Sequence, residues 1–158
     1  MGRRGDLYAV VISLCFVVIM PGCANHNLQF RYDRSNWQWE AQTQFPSSPF
    51  SADTVKIQIV GEEKPLRPDQ LALVERVFGW LPELLPQIIR HLGEHDEELK
   101  DPAAMRTQLT DPSISLFEPD EQPSRSWSFV VERPSQGTSF GYHLEFVDKE
   151  FQTIWAGD

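Results

Sequence analysis

Residues 126–156 read SWSFVVERPSQGTSFGYHLEFVDKEFQTIWA, and this stretch decides the fold. Large apolar side chains occupy alternate positions in three runs that are separated by polar breaks. A period of two is the pattern of a strand with one buried face, so the stretch predicts a three-stranded antiparallel meander. The residues expected on its buried face are Trp127, Phe129 and Val131, then Phe140, Tyr142, Leu144 and Phe146, then Phe151, Thr153 and Trp155.

The pairing register of this meander follows if Asp148 and Lys149 form the second turn and Val147 pairs with Glu150. The expected opposite pairs are Phe146 with Phe151, Leu144 with Thr153, Tyr142 with Trp155, Trp127 with Phe146, Phe129 with Leu144, and Val131 with Tyr142. A slip of one residue would turn a whole apolar set to the other face, so the side chains themselves specify the register.

The segment from residue 69 to residue 93 predicts an amphipathic helix, because its apolar residues recur at spacings of three and four. Gly93 suits the end of this helix. Pro82 and Pro86 lie inside it, and each lacks the N–H of a helical hydrogen bond. We therefore expect two helical pieces or one kinked helix.

Three shorter segments complete the expected fold. Apolar and polar residues alternate on both sides of a polar turn within residues 27–42, which predicts a hairpin, with a tether as the alternative. Residues 55–59 predict a strand. Asp101 followed by Pro102 indicates a short helix over 102–109. The predicted class is α+β: an antiparallel sheet of about five strands, including the 126–156 meander, with the 69–93 and 102–109 helices packed on one face.

The amino-terminal segment has the organisation of a secretory signal. Arg3 and Arg4 precede an apolar run over residues 7–20, and Gly22 precedes Cys23. These residues resemble the signal of bacterial lipoproteins, although Met20 and Pro21 depart from its commonest pattern. The resemblance implies cleavage after residue 22 and lipidation of Cys23, which would anchor the chain to the membrane. Ordinary cleavage after Ala24, giving a secreted or periplasmic soluble protein, and an uncleaved anchor are the alternatives.

This organisation divides the chain into a signal peptide (1–22), a lipidated Cys with a tether or hairpin (23–50), and one α+β domain (51–158). The chain has 158 residues and a formal net charge of −9, which argues against a nucleic-acid partner. Cys15 would be removed with the signal peptide, so Cys23 would be the only remaining thiol. Because lipidation would modify that thiol, we expect no partner linked by a disulfide.

Two histidine clusters are candidates for chemistry. His91, Glu94 and His95 match the H-x-x-E-H pattern in which two imidazoles one helical turn apart bind zinc. Solvated or packed side chains at a helix end are the alternative interpretation. His143 with Glu145 is a candidate binding or acid–base pair on the less buried sheet face, between Val130 and Ile154.

The sequence carries no complete catalytic or cofactor motif, so we expect a non-enzymatic envelope lipoprotein domain, without a cofactor, that binds an unknown and possibly proteinaceous partner. One alternative is a small envelope hydrolase or metal-binding protein that uses His143 or the His91/His95 pair. Another is a peripheral subunit of an envelope assembly that docks through Trp37 and Trp39. Residues 54–158 also loosely resemble small uncharacterised α+β domains of the immunity type, which implies a binding role and no particular site.

Overall fold

A computed structural model describes residues 28–117, 125–136 and 140–157, and the backbone of residues 18–19. The strands are β1 (Val18–Ile19), β2 (Gln29–Asp33), β3 (Gln38–Gln44), β4 (Thr54–Val60), β5 (Thr110–Leu116), β6 (Ser126–Glu132), β7 (Gly141–Val147) and β8 (Glu150–Gly157). The helices are α1 (Pro68–His95) and α2 (Pro102–Gln108), and a short 3₁₀ helix, Glu97–Lys100, lies between them. None of the helices in this described part is long and apolar enough to cross a membrane.

The strands lie side by side in chain order, with β2–β8 forming the body of the sheet and β1 contributing a two-residue pairing to β2. Every neighbouring pair is antiparallel except β4 and β5, which are parallel. The α+β prediction therefore agrees with the structure, but the expected sheet of about five antiparallel strands is wrong in size and type. The two helices carry the chain from the end of β4 back to its beginning, so β5 must run parallel to β4.

Helix α1 is continuous over 28 residues, so of the two expected alternatives the division into two pieces is wrong and a single helix through Pro82 and Pro86 is correct. The helix ends at His95, two residues after Gly93. An internal proline costs a helix about 3 kcal/mol. Full burial of one Leu, Ile or Val side chain contributes about 1.5–3 kcal/mol, so a long buried stripe outweighs two prolines. That stripe consists of Leu73, Val74, Val77, Leu81, Leu84, Ile88 and Leu92.

All three shorter predictions are confirmed, and the strand expected over residues 55–59 is β4. Strands β2 and β3 form an antiparallel hairpin within the sheet, where Phe30 and Trp39 are buried, so the structure has a hairpin rather than a tether from residue 29. The short helix α2 ends at Gln108, one residue before the expected end, and Asp101 caps it by accepting a hydrogen bond from the Ala103 N–H.

The β6–β7 register is confirmed: Trp127 lies opposite Phe146, Phe129 opposite Leu144, and Val131 opposite Tyr142. The β7–β8 register is correct only next to the turn, where Val147 pairs with Glu150 and Phe146 with Phe151. Glu145 then pairs with Thr153, which leaves Gln152 as the extra residue of a β-bulge. The pairs that follow are Leu144 with Ile154, His143 with Trp155, and Tyr142 with Ala156.

The bulge corrects three expectations: Thr153 is not opposite Leu144, Trp155 is not opposite Tyr142, and His143 is not beside Ile154. Two physical reasons favour the bulged register. It places Ile154 instead of Thr153 against the core, which buries more apolar surface. It also places the small Ala156 opposite Tyr142, where the ring of His95 at the end of α1 already lies 5.9 Å from the Tyr142 ring.

Candidate functional site

The sheet has two chemically different faces. Helix α1 packs on the face that carries Phe129 and Leu144. The opposite face, which we call the outer face, carries two cross-strand rows of largely polar side chains. One row runs through Gln42, Lys56, Ser113, Val130, His143 and Trp155; the other runs through Glu40, Gln58, Ser115, Ser128, Glu145 and Thr153.

The β8 end of the outer face holds a compact cluster of His143, Glu145 and Trp155. The rings of His143 and Trp155 stack with their centroids 3.8 Å apart and their planes 5° apart. The indole Nε1–H of Trp155 donates a hydrogen bond of 3.0 Å to Oε1 of Glu145. The indole is therefore fixed in orientation by two neighbours on β7, although 41% of the Trp155 residue surface stays exposed.

Sequence reasoning placed His143 and Glu145 on one face of β7 but missed Trp155 as their neighbour. Simple alternation put Trp155 in the core, whereas the bulge at Gln152 turns it to the outer face. Bulges commonly re-aim a side chain in this way. The sequence offers one signal, which is that Ile154 and Ala156 form an apolar set competing with Thr153 and Trp155.

Burial lowers the pKa of His143 below its ordinary value, and the nearby Glu145 carboxylate opposes that shift. The imidazole is therefore neutral at pH 7. Ser128 on β6 lies opposite Glu145, next to Val130, which lies opposite His143.

The second candidate cluster lies in the last turns of α1. The ring of His91 stacks on Phe151 at 3.7 Å, and its Nδ1 lies 3.2 Å from Oε2 of Glu94. His95 contacts Tyr142 edge-on instead. Within residues 28–117, 125–136 and 140–157, no group of three His, Cys, Asp or Glu side chains is arranged to hold a metal ion. Packing against β7 and β8 thus accounts for the positions of both imidazoles.

Sequence reasoning missed a polar network centred on Arg133, which follows β6 and is only 3% exposed. Its guanidinium donates to Tyr142 Oη at 2.9 Å and to the side chains of Asp96, Glu98 and Gln108. The Tyr142 hydroxyl in turn donates to Oδ2 of Asp96 at 2.6 Å. The network ties β6 and β7 to the end of α1, and no sequence spacing connects these distant positions.

This network shifts the pKa values of two members in opposite directions. The hydrogen bond from Tyr142, followed by the backbone N–H of Glu98 and the charge of Arg133, lowers the pKa of Asp96 despite partial burial. Burial, followed by the hydrogen bond to Asp96, raises the pKa of Tyr142. The network is therefore held as a carboxylate, a neutral phenol and a guanidinium at neutral pH.

The surface of the described residues includes two open cavities. One, of about 390 Å³, lies on the outer face of β2–β4 and is lined by Gln29, Arg31, Glu40, Ala41, Gln42 and Lys56. Another, of about 360 Å³, lies between α1 and the β7–β8 turn, where Arg76, Trp80 and Asp148 are among the lining residues. Neither of these two cavities is lined by His143 or Trp155.

The remaining predicted site residues are dispersed. Cys23 and the signal-like segment lie outside the described residues, apart from the backbone of β1. Trp39 is buried in the core, while Trp37 is 65% exposed at the β2–β3 turn and has a positive φ of 53°. Comparisons of this chain with protein-family models, with curated proteins and with solved structures gave no match.

Proposed function

We propose that this chain is a lipid-anchored, non-enzymatic binding domain of the bacterial cell envelope, held at the membrane through Cys23. The observation that carries the proposal is the succession of Arg3 and Arg4, an apolar run over residues 7–20, and the Gly22–Cys23 pair. A thioether-linked lipid with a second acyl group gives stable anchoring, whereas a single chain gives only marginal binding.

The spacing between Cys23 and the fold supports this arrangement. The body of the described sheet begins with β2 at Gln29, and Leu28 just before it is already buried, while β1 lies in the segment that the proposed cleavage removes. Residues 24–27 connect Cys23 to Leu28, and the five Cα–Cα steps between these two residues span at most about 18 Å. The proposed anchor would therefore hold the sheet close to the membrane surface.

The binding part of the proposal is supported by the geometry of the outer face. The Trp155 indole is exposed and fixed in orientation by His143 and Glu145. Rigid, partly exposed Trp residues are enriched among the side chains that dominate protein interfaces. We therefore propose a protein partner rather than a reaction as the role of this face.

Metabolic labelling with [³H]palmitate tests the anchor. Wild-type protein should incorporate label, and globomycin should cause the unprocessed precursor to accumulate. Cys23→Ala should abolish labelling, because it removes the only thiol that the proposed cleavage leaves in the chain.

The matched control is Cys15→Ala, which removes the other cysteine and should leave labelling unchanged. Equal labelling of the Cys23→Ala variant and wild type would rule out lipidation at Cys23. Loss of label from both variants would show that the signal, rather than the acceptor thiol, had been damaged, and Cys23→Ser would then report on the acceptor alone.

A further inference from the structure

Strand β8 forms one edge of the described sheet, since it pairs with β7 on one side and with no other strand in the described residues. It is eight residues long, whereas strands in globular proteins are typically about five to six residues long. An edge strand presents a row of backbone N–H and C=O groups that can accept another extended chain.

This edge has little of the protection that natural edges carry. No charged residue and no proline occurs between Phe151 and Gly157. Proteins usually blunt such edges with lysine, proline or bulges. The single bulge lies near the start of β8, and the residues from Thr153 to Gly157 are in regular register with β7.

The Trp155 indole stands at the same edge. One of its faces is covered by the parallel imidazole of His143, which lies inward on β7. The opposite face consequently points away from the sheet, on the side where no described strand follows. Gly157 lies next to the indole on β8, and a Cβ atom there would sit 3.7 Å from the Trp155 ring, so the glycine leaves that part of the ring uncovered.

We propose that β8 is a docking edge for an extended segment of a basic partner protein, which adds a strand beside β8 and stacks an arginine on the free face of Trp155. Strand addition supplies affinity through main-chain hydrogen bonds, and a side-chain contact supplies selectivity. This proposal specifies the binding role proposed above and does not depend on the lipid anchor.

Charge and ring chemistry select the occupant. The indole face attracts cations, and arginine is the cation found most often over aromatic rings. The Glu145 carboxylate lies beside that indole, and the chain has a net charge of −9, so a basic segment is attracted both locally and at long range.

A second copy of this chain fits the same edge less well. From Glu150 to Gly157, β8 contains an acidic residue and no Lys or Arg, so a paired second β8 would bring no cation to Trp155. Two copies would also each carry the same net negative charge. Self-association through β8 is therefore an outcome that would contradict the proposal.

The test uses the full chain in detergent and fluorescently labelled synthetic peptides with the sequence TVTVXVTVT, in which X is arginine, citrulline or glutamate. Citrulline keeps the planar shape of arginine and removes its charge. We expect the arginine peptide to bind about 5- to 30-fold more tightly than the citrulline peptide, since a cation–π contact is worth about 1–2 kcal/mol. The glutamate peptide should bind more weakly still.

Trp155→Ala should reduce the preference for arginine over citrulline to less than about twofold, because it removes the stacking surface. Trp37→Ala is the matched control, since it removes the more exposed tryptophan at the β2–β3 turn and should leave the preference unchanged. Circular dichroism of both variants establishes that the fold is retained. The relative affinities of the three peptides for the wild-type chain test the preference for arginine even if a variant does not fold.

Main-chain pairing is tested on the peptide. Two arginine peptides, N-methylated at the odd or at the even backbone positions, block one or the other row of N–H groups, and one of them should lose binding.

Three results would each overturn the proposal: no binding of the arginine peptide at about 1 mM, equal binding of the arginine and glutamate peptides, or dimerisation of the full chain that disappears in Trp155→Ala. Each of these results would leave the palmitate experiment on Cys23 unaffected, and loss of palmitate labelling would leave the peptide result unaffected.

Discussion

Strand β7 takes part in two antiparallel pairs that behave differently. Against β6, residues 141–147 pair in unbroken register, and the apolar set of each strand faces the core. Against β8, the register shifts at Gln152, and the alternating set of Phe151, Thr153 and Trp155 is divided between two faces. Among the described strands, β6 lies between two neighbours, whereas β8 has a neighbour on one side only.

The difference teaches where alternation specifies a register and where it does not. A central strand that slips must break pairing on both sides, so its pattern and its neighbours reinforce each other. An edge strand can accommodate an extra residue at the loss of pairing on one side. In β8 this freedom let Ile154 and Ala156 replace Thr153 and Trp155 against the core, and it put the indole on the outer face.

The largest expected effect on stability comes from a comparison of two tryptophan substitutions, one in the β6–β7 pair and one in the β7–β8 pair. Trp127 on β6 is 1% exposed, stacks on Phe146 at 4.5 Å, and donates from Nε1 to the backbone oxygen of Asp148 at 2.7 Å. Trp127→Ala should lower the free energy of unfolding by about 3–5 kcal/mol, because it opens a cavity in the core. Trp155→Ala should lower it by about 1 kcal/mol or less.

Urea denaturation followed by circular dichroism measures both free energies. Phe146→Leu provides an intermediate reference, since it keeps an apolar side chain opposite Trp127. Similar losses for the two tryptophan variants would mean that Trp155 is a core residue and that the bulge is wrongly placed.

A smaller effect on stability is expected for Asp96, the hydrogen-bond partner of Tyr142. Tyr142 belongs to both strand pairs, since it lies opposite Val131 on β6 and opposite Ala156 on β8. Its hydroxyl lowers the pKa of Asp96, so the folded chain favours the charged carboxylate more than the unfolded chain does. That contribution is fully present above the unfolded pKa of about 3.9 and is lost as the pH falls through the lower folded value. Asp96→Asn should therefore lower the unfolding free energy at pH 7 by about 1–2 kcal/mol and flatten its decline below about pH 5.

Denaturation at a series of pH values between about 2 and 7 measures this dependence. Glu97→Gln is the control, because Glu97 is exposed and is paired only with Lys100 among the described residues. If Asp96→Asn and wild type lose stability in parallel as the pH falls, the network does not stabilise the folded chain through Asp96.

The smallest effect comes from deletion of Gln152. Deletion removes the extra residue of the bulge and leaves the other pairs in place, with Phe146 opposite Phe151 and His143 opposite Trp155. The unfolding free energy should change by less than about 1 kcal/mol. The ring protons of His143 should keep the upfield NMR shift caused by the indole stacked at 3.8 Å.

NMR spectra of wild type and of the deletion variant decide this point. Loss of the His143 shift, together with contacts between Trp155 and helix α1, would show that β8 of the deletion variant pairs with β7 in a different register. That result would also remove the indole from the edge to which the proposed partner binds.

Much of the architecture is predictable from residue patterns. The periods of two and of 3.6 locate β4, α1, β6 and β7, because a half-buried element must place its apolar residues on one side. The cap at Asp101 located α2. The prolines in α1 left the prediction open between two helical pieces and one kinked helix, since a local rule cannot measure how much apolar surface the sheet will cover.

The candidate site is less predictable. His143 and Glu145 follow from strand alternation, but Trp155 joins them only through the bulge. The Arg133 network links residues up to 46 positions apart, as in the hydrogen bond between Tyr142 and Asp96, and nothing local marks it. Buried polar groups find partners through space, so their positions depend on which elements the fold brings together.

The sequence by itself determined the positions of the main helix and of most strands, the register of β6 against β7, and the signal-like segment that ends at Cys23, because each follows from local chemistry or from a periodic pattern. Only the tertiary structure decided that β4 and β5 run parallel, that Gln152 is the extra residue of β8, and that the indole of Trp155 lies at an open edge. These three features depend on where α1 and α2 return the chain and on what fits beneath the end of α1. Both are set by packing between segments that are distant in sequence.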